Sequence, residues 1–208
     1  DLERPMSWDA ALFHRLNQTW THPWLDAWMP VITSSATWRI PVIAAVLLLL
    51  WRGNARARWI VLGVGICVGL SDQISSQLLK PLVARSRPSF VLPDVRLLLS
   101  PKYSYSFPSS HAVNLAAVTW FLCRAQISRW GCAPVIVILL VVSYSRIYVG
   151  VHYPSDILGG FVIGATIAEC VRRWPPLRRR ILPPQPISEP VLAPTPSPEP
   201  PDSLTRTS

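Results

Sequence analysis

The stretch Ser145–Asp156 reads SRIYVGVHYPSD. It joins two apolar runs, residues 132–144 and 157–168, that are almost bare of charge. Arg146, His152, Ser155 and Asp156 crowd into the junction. Ionisable groups at the edge of a membrane span are costly, and by default they mark function. Asp156 lies four residues after His152, with Pro154 placed to open a helix between them. That spacing lets the carboxylate reach the imidazole across the first helical turn.

Working outward, the chain repeats this design. Residues 38–51, 59–79, 109–123, 132–149 and 155–171 are apolar runs of spanning or near-spanning length. Half of the 208 residues are hydrophobic and 15% are charged, with a mean hydropathy of +0.30. The expected fold is therefore all-α: a polytopic membrane helical bundle of five to six spans. Gly65 with Gly69, and Gly160 with Gly164, are small-residue pairs expected to let neighbouring helices approach.

Three segments are expected. Residues 1–35 form an amphipathic N-terminal segment, with Trp8, Leu12, Phe13 and Leu16 at helical spacing and Trp20, Trp24 and Trp28 suited to the headgroup belt. Residues 36–174 form the transmembrane domain. Residues 175–208 are a basic, then Pro-rich, disordered tail, too poor in apolar residues to order itself. No basic-then-apolar leader opens the sequence, so no secretory leader is expected.

The net charge is +9. Its arginines fall in short loops between apolar runs, a pattern that fits membrane orientation and anionic substrates and excludes a nucleic-acid partner. The clusters at 52–58, 124–129 and 172–180 place those ends in the cytoplasm. The basic excursion 80–108 and the turn 150–155 then face the other side. Cys67, Cys123, Cys132 and Cys170 are scattered and read as packing residues, with neither a metal site nor a structural disulfide expected. No cofactor is expected.

Alternating spans bring Lys80, His111 and Arg146–Asp156 to one face. The residue types suit phosphoryl transfer. Lys80, Arg87 and Arg146 can neutralise phosphate oxygens. Ser109 and Ser110 precede a helix whose free amides make an anion cradle. His152 reads as the nucleophile, Asp156 as its orienter and His111 as the general acid that later activates water. His14 and His22 read as interfacial residues, and Arg85, Arg96 and Lys102 as surface or headgroup contacts.

Lys80 to Arg87-Pro88, Pro108-Ser109-Ser110-His111, and Ser145-Arg146 through His152 to Ser155-Asp156 together resemble the three-part motif of the type 2 phosphatidic acid phosphatase superfamily. Ser110 stands where that family often has Gly. The resemblance implies a metal-independent phosphatase with a phosphohistidine intermediate, held in the inner membrane with its site on the periplasmic side. Its partner is a lipid phosphate or diphosphate. The short architecture is similar to small bacterial undecaprenyl-diphosphate phosphatases, so cleavage of undecaprenyl diphosphate to the monophosphate is expected. Phosphatidic acid, phosphatidylglycerol phosphate and lipid A are alternatives, as is phosphoryl transfer to a lipid acceptor. A catalytically inert membrane scaffold would release no phosphate.

Overall fold

The computed structural model describes residues 7–125 and 129–182. Every regular element among them is helical. The disorder expected for 183–208 concerns residues outside this set.

Ser7 caps the first helix, α1 (Trp8–His14), by accepting the Ala10 amide at 3.3 Å. α1 buries Asp9, Ala10 and Phe13 and exposes Trp8 and Leu12. A π-helical turn (Arg15–Thr19) and α2 (Pro23–Thr33) follow. Fully buried Asn17 stitches this segment to the bundle. Its amide nitrogen donates to the Arg96 and Tyr148 carbonyls at 2.9 and 2.8 Å, and its oxygen accepts the Arg96 amide at 2.9 Å.

The long helices come next. α3 (Ser35–Arg52) has no buried residue and turns its Ile, Val and Leu side chains outward, as a lipid-facing helix does. α4 (Ala55–Gln73) runs through a π-helical turn (Ile74–Leu79) into α5 (Lys80–Val83). Ala84, in the left-handed region at φ 49°, ends that helix. Arg87 is extended, as a residue before proline prefers, and Pro88 opens the short α6 (Pro88–Val91). Then come α7 (Ser110–Arg124), α8 (Arg129–Tyr148), α9 (Pro154–Arg173) and α10 (Pro175–Ile181). Four stretches are long and apolar enough to cross a membrane: Ser35–Arg52, Ala55–Val91, Trp130–Tyr148 and Pro154–Arg173.

α7 is the centre of the bundle, packed against α4, α8 and α9. Its 15 residues cover about 22 Å, less than a full hydrocarbon core. Val113, Ala117 and Phe121 of α7 share a core with Cys67, Ala168 and Val171. Residues 175–182, grouped with the tail in the sequence reading, belong to this core: Leu177 and Ile181 of α10 are fully buried in it. At that end Arg56 donates to the Ile181 carbonyl at 2.8 Å and the Ala125 carbonyl at 2.7 Å, a cation on two helix C-termini. The Cys123 and Cys132 thiols meet between α7 and α8, a proximity their sequence spacing did not suggest.

The glycine pairs divide. A Cβ on Gly164 would stand 2.2 Å from the Val113 carbonyl oxygen and 2.9 Å from Ala116 Cβ. Gly65 and Gly69 have open space beside them, so that expected packing pair is not one; Gly63, against Phe121, is the close approach on α4. Gly164→Ala is therefore expected to destabilise the bundle by about 1–3 kcal/mol through overpacking. Gly65→Ala should leave thermal unfolding in detergent unchanged.

Candidate active site

The site lies at the end of the bundle opposite Arg56. The turn after α8 builds it first. Gly150, at φ +87°, lies where a Cβ would be 2.6 Å from the Arg96 carbonyl oxygen, so only glycine fits the reversal that turns His152 inward. The Val151 amide donates back to the Arg146 carbonyl at 3.2 Å. Pro154 starts α9, and Asp156, at its third position, accepts the Tyr153 amide at 2.9 Å. One carboxylate thus both caps α9 and faces the His152 Nδ1 at 3.4 Å.

Asp156 is fully buried and satisfied from several segments. Its Oδ2 also accepts the Ser106 hydroxyl, and its Oδ1 accepts Arg85 at 2.7 Å. Its backbone carbonyl accepts the Ser109 amide at 3.2 Å, which ties the start of α7 to the start of α9. With Nδ1–H directed at the carboxylate, the His152 Nε2 lone pair points to the far side, where it accepts from the Arg87 guanidinium at 3.2 Å. Burial, aided by the Arg146 and Arg87 charges and opposed by Asp156, pushes the His152 pKa down to about 3. The imidazole is neutral at physiological pH, the state a nitrogen nucleophile needs.

Arg87 is buried and rigid. It donates to the Ser104 and Tyr105 carbonyls, the Ser104 hydroxyl and the Val151 carbonyl. Arg146, 2% exposed, donates to the Thr33 hydroxyl at 2.5 Å and leaves its Nε without a partner. Ser109 is buried with its hydroxyl likewise unpartnered, just before the uncapped first turn of α7. Ser110 lies 3.4–3.5 Å from the Ser75 and Ser76 hydroxyls. The Lys80 side chain makes no hydrogen bond or ion pair among the described residues.

The cations fall into two groups. Arg85 and Arg96 are ion-paired, to Asp9 with Asp156 and to Asp26 respectively. Lys80, Arg87, Lys102 and Arg146 act on one another electrostatically and form no ion pair. Asp72 is within range of Lys80, and Asp156 of Arg87, without pairing to them. Lys80, Arg87 and Arg146, beside an unpartnered hydroxyl and the uncapped start of α7, make an arrangement that can hold an anion, and Lys102 lines the adjoining polar cavity.

Two cavities adjoin it. A polar one of about 270 Å³ is lined by Ser34, Ser35, Ser100, Lys102, His111 and Arg146, among others. An apolar one of about 720 Å³ opens between α3, α7 and α8, walled by Trp38, Val42, Leu115, Val137, Ile138 and Val141. His111, Thr33 and Ser35 line both.

Three residues escaped the sequence reading. Lys102, expected at the surface, is exposed there and also lines the polar cavity. Arg85, taken the same way, bridges two carboxylates and stacks 4.0 Å over the Tyr153 ring. Asp9 accepts Arg85 at 2.5 Å, the Ser155 hydroxyl at 2.5 Å and the Ser155 amide at 2.9 Å. Asp9 and Phe13 share the buried face of α1. A carboxylate one turn from a buried aromatic was the available signal.

An apolar cavity of about 720 Å³ beside a cluster of cations and histidines, within a bundle of membrane-length helices, has the parts of a membrane protein that handles lipid phosphates. Comparison with known proteins specifies the family: residues 59–180 match the PAP2 superfamily model, and the chain belongs to that superfamily. It is 33% identical over 166 residues to a lipid A 4'-phosphatase of Porphyromonas gingivalis, covering 77% of this chain and 70% of that one. It is 34% identical over 157 residues to undecaprenyl-diphosphatase BcrC of Bacillus subtilis, covering 74% and 77%. The fold matches the crystal structure of a transmembrane PAP2-type phosphatidylglycerolphosphate phosphatase from Bacillus subtilis with a TM-score of 0.59 at 27% identity, covering 79% and 82%. The protein is accordingly a metal-independent phosphatase acting on lipid phosphates.

Arg85 divides its fork between Asp9 and Asp156. Removing the Asp9 charge lets Arg85 draw on Asp156 alone and weakens the pull of Asp156 on His152. Asp9→Asn is expected to lower kcat by about tenfold, the worth of one charge-assisted hydrogen bond, with KM unchanged. Steady-state phosphate release checks it.

Proposed function

We propose that the chain hydrolyses a lipid phosphate at the membrane boundary through a phosphohistidine on His152. The observation that carries this is His152, held at Nδ1 by Asp156 with Nε2 turned to Arg87, beside unpaired cations. In this reading His152 Nε2 attacks phosphorus and the bond to the leaving oxygen breaks. His111 protonates that oxygen. Water then attacks the phosphohistidine, giving one proton to His111 and releasing inorganic phosphate. Lys80, Arg87, Arg146, the Ser109 hydroxyl and the amides around Ser110 hold the phosphoryl oxygens.

The lipid tail occupies the apolar cavity, which suits a substrate that never leaves the bilayer. The exposed Trp8, Trp20, Trp24 and Trp28 of the N-terminal segment, and Trp51 on α3, Trp130 on α8 and Trp174 just after α9, support two interfacial belts. The Arg-rich end around 52–58 and 172–180 is then cytoplasmic and the site periplasmic, in an inner membrane. α1 and α2 lie along the interface, and α7 completes five crossings.

Undecaprenyl diphosphate is the first substrate candidate, supported by the similarity to BcrC. Lipid A is the second, supported by the similarity to lipid A 4'-phosphatases. Phosphate release in detergent with EDTA present tests the reading on these two lipids, phosphatidic acid and phosphatidylglycerol phosphate. Wild type should release phosphate from at least one lipid, and His152→Ala should lose at least about a thousandfold of that rate. Release that needs an added divalent ion, or that survives His152→Ala, would contradict it. Consumption of substrate only when a lipid acceptor is supplied would make the protein a transferase.

A further inference from the structure

The polar cavity lies on the His111 side of the site, and His152 is not among its lining residues. Attack and departure at phosphorus are in line, so a cavity beside the group that protonates the leaving oxygen receives the leaving group. An alcohol leaving group would ask for a neutral pocket. This one is cationic. Arg146, 2% exposed, lines it with an unpartnered Nε. Lys102 lines it too and makes no hydrogen bond or ion pair among the described residues. The third wall is the start of α3, residues 34–36 of an 18-residue helix whose N-cap, Ser34, makes no side-chain capping bond. Its free amides and positive dipole end face the same space as Lys102. Burial and the nearby Arg146 and Arg87 hold the Lys102 pKa below the usual lysine range, a repulsion that a bound anion relieves.

Charge supports the same assignment. A phosphate monoester carries about −2 near neutral pH and a lipid diphosphate about −3. The four unpaired cations suit the larger charge.

We propose that this cavity is a second anion subsite, built from the start of α3 and Lys102 with Arg146 shared between it and the reacting phosphoryl group, that holds the retained phosphate of a lipid diphosphate, and that Lys102 selects diphosphates over monoesters. This rests on the hydrolytic reading above and names its substrate class. His152 attacks the terminal phosphorus and the bridging P–O bond breaks. The lipid monophosphate departs with that oxygen's electron pair and a proton from His111, its phosphate in the cavity and its tail in the apolar channel. Water later cleaves the P–N bond to give inorganic phosphate.

The test compares undecaprenyl diphosphate with phosphatidic acid, using the full chain in detergent with EDTA. Lys102→Gln should lower kcat/KM for the diphosphate about tenfold or more while changing that for phosphatidic acid less than about threefold. Lys102→Arg should restore most of the loss. Equal losses on both lipids, or no loss on the diphosphate, would overturn the subsite. A second arm needs no turnover. On His152→Ala protein, inorganic pyrophosphate should raise the melting temperature more than inorganic phosphate, and Lys102→Gln should erase that difference. Equal stabilisation by the two anions would overturn the proposal. Wild type that releases phosphate from none of the four lipids of the panel above would defeat the hydrolytic reading, and the melting experiment would still decide the subsite.

Discussion

The structure depends on one buried carboxylate. Asp156 has no exposed surface, and a charge so placed is tolerated only when hydrogen bonds surround it. It draws them from the Tyr153 amide, Ser106 in the loop before α7, Arg85 after α5 and the ring of His152. Through Arg85 the requirement extends to Asp9 on α1. Satisfying Asp156 therefore fixes the N-terminal segment, the α5–α7 excursion and the α8–α9 junction against one another. The same contacts hold the His152 ring in one orientation, so what folds this end also aims the nucleophile of the proposed mechanism.

Charge pairing then separates scaffold from site. Arg85 and Arg96 spend their charge on Asp9, Asp156 and Asp26. Lys80, Arg87, Lys102 and Arg146 do not pair, although several arginines in this chain do. Of these, Arg87 and Arg146 are buried, and burying two repelling cations costs stability that a bound anion would return. In the proposed function the neighbouring apolar cavity takes the lipid tail.

Much of this was legible in the sequence because it is local. The i,i+4 relation of His152 and Asp156, proline at the start of α9 and the apolar runs need only helical periodicity. Span alternation was the ground for expecting Lys80, His111 and Arg146–Asp156 on one face. What escaped was set by tertiary packing. Arg85 and Arg87 are two residues apart in one loop, yet one bridges Asp9 and Asp156 and the other contacts His152. Nothing in RSR distinguishes them. Lys102 enters a cavity only because α2 ends where it does. Gly65 and Gly69 carry the same spacing as Gly160 and Gly164, but no helix crosses there. Residues 175–182 looked like tail by charge, while Leu177 and Ile181, four residues apart, were the apolar stripe that packs.

The central claim is a covalent phosphoryl bond at His152, and rapid acid-free quenching reports it most directly. Wild type mixed with lipid carrying a radiolabelled terminal phosphate should show label on the protein within one turnover. That label should be stable in base, labile in acid and located on the peptide containing His152. It should be absent from His152→Ala. Label that never appears on the protein while phosphate is released, or that maps to another residue, would contradict the account.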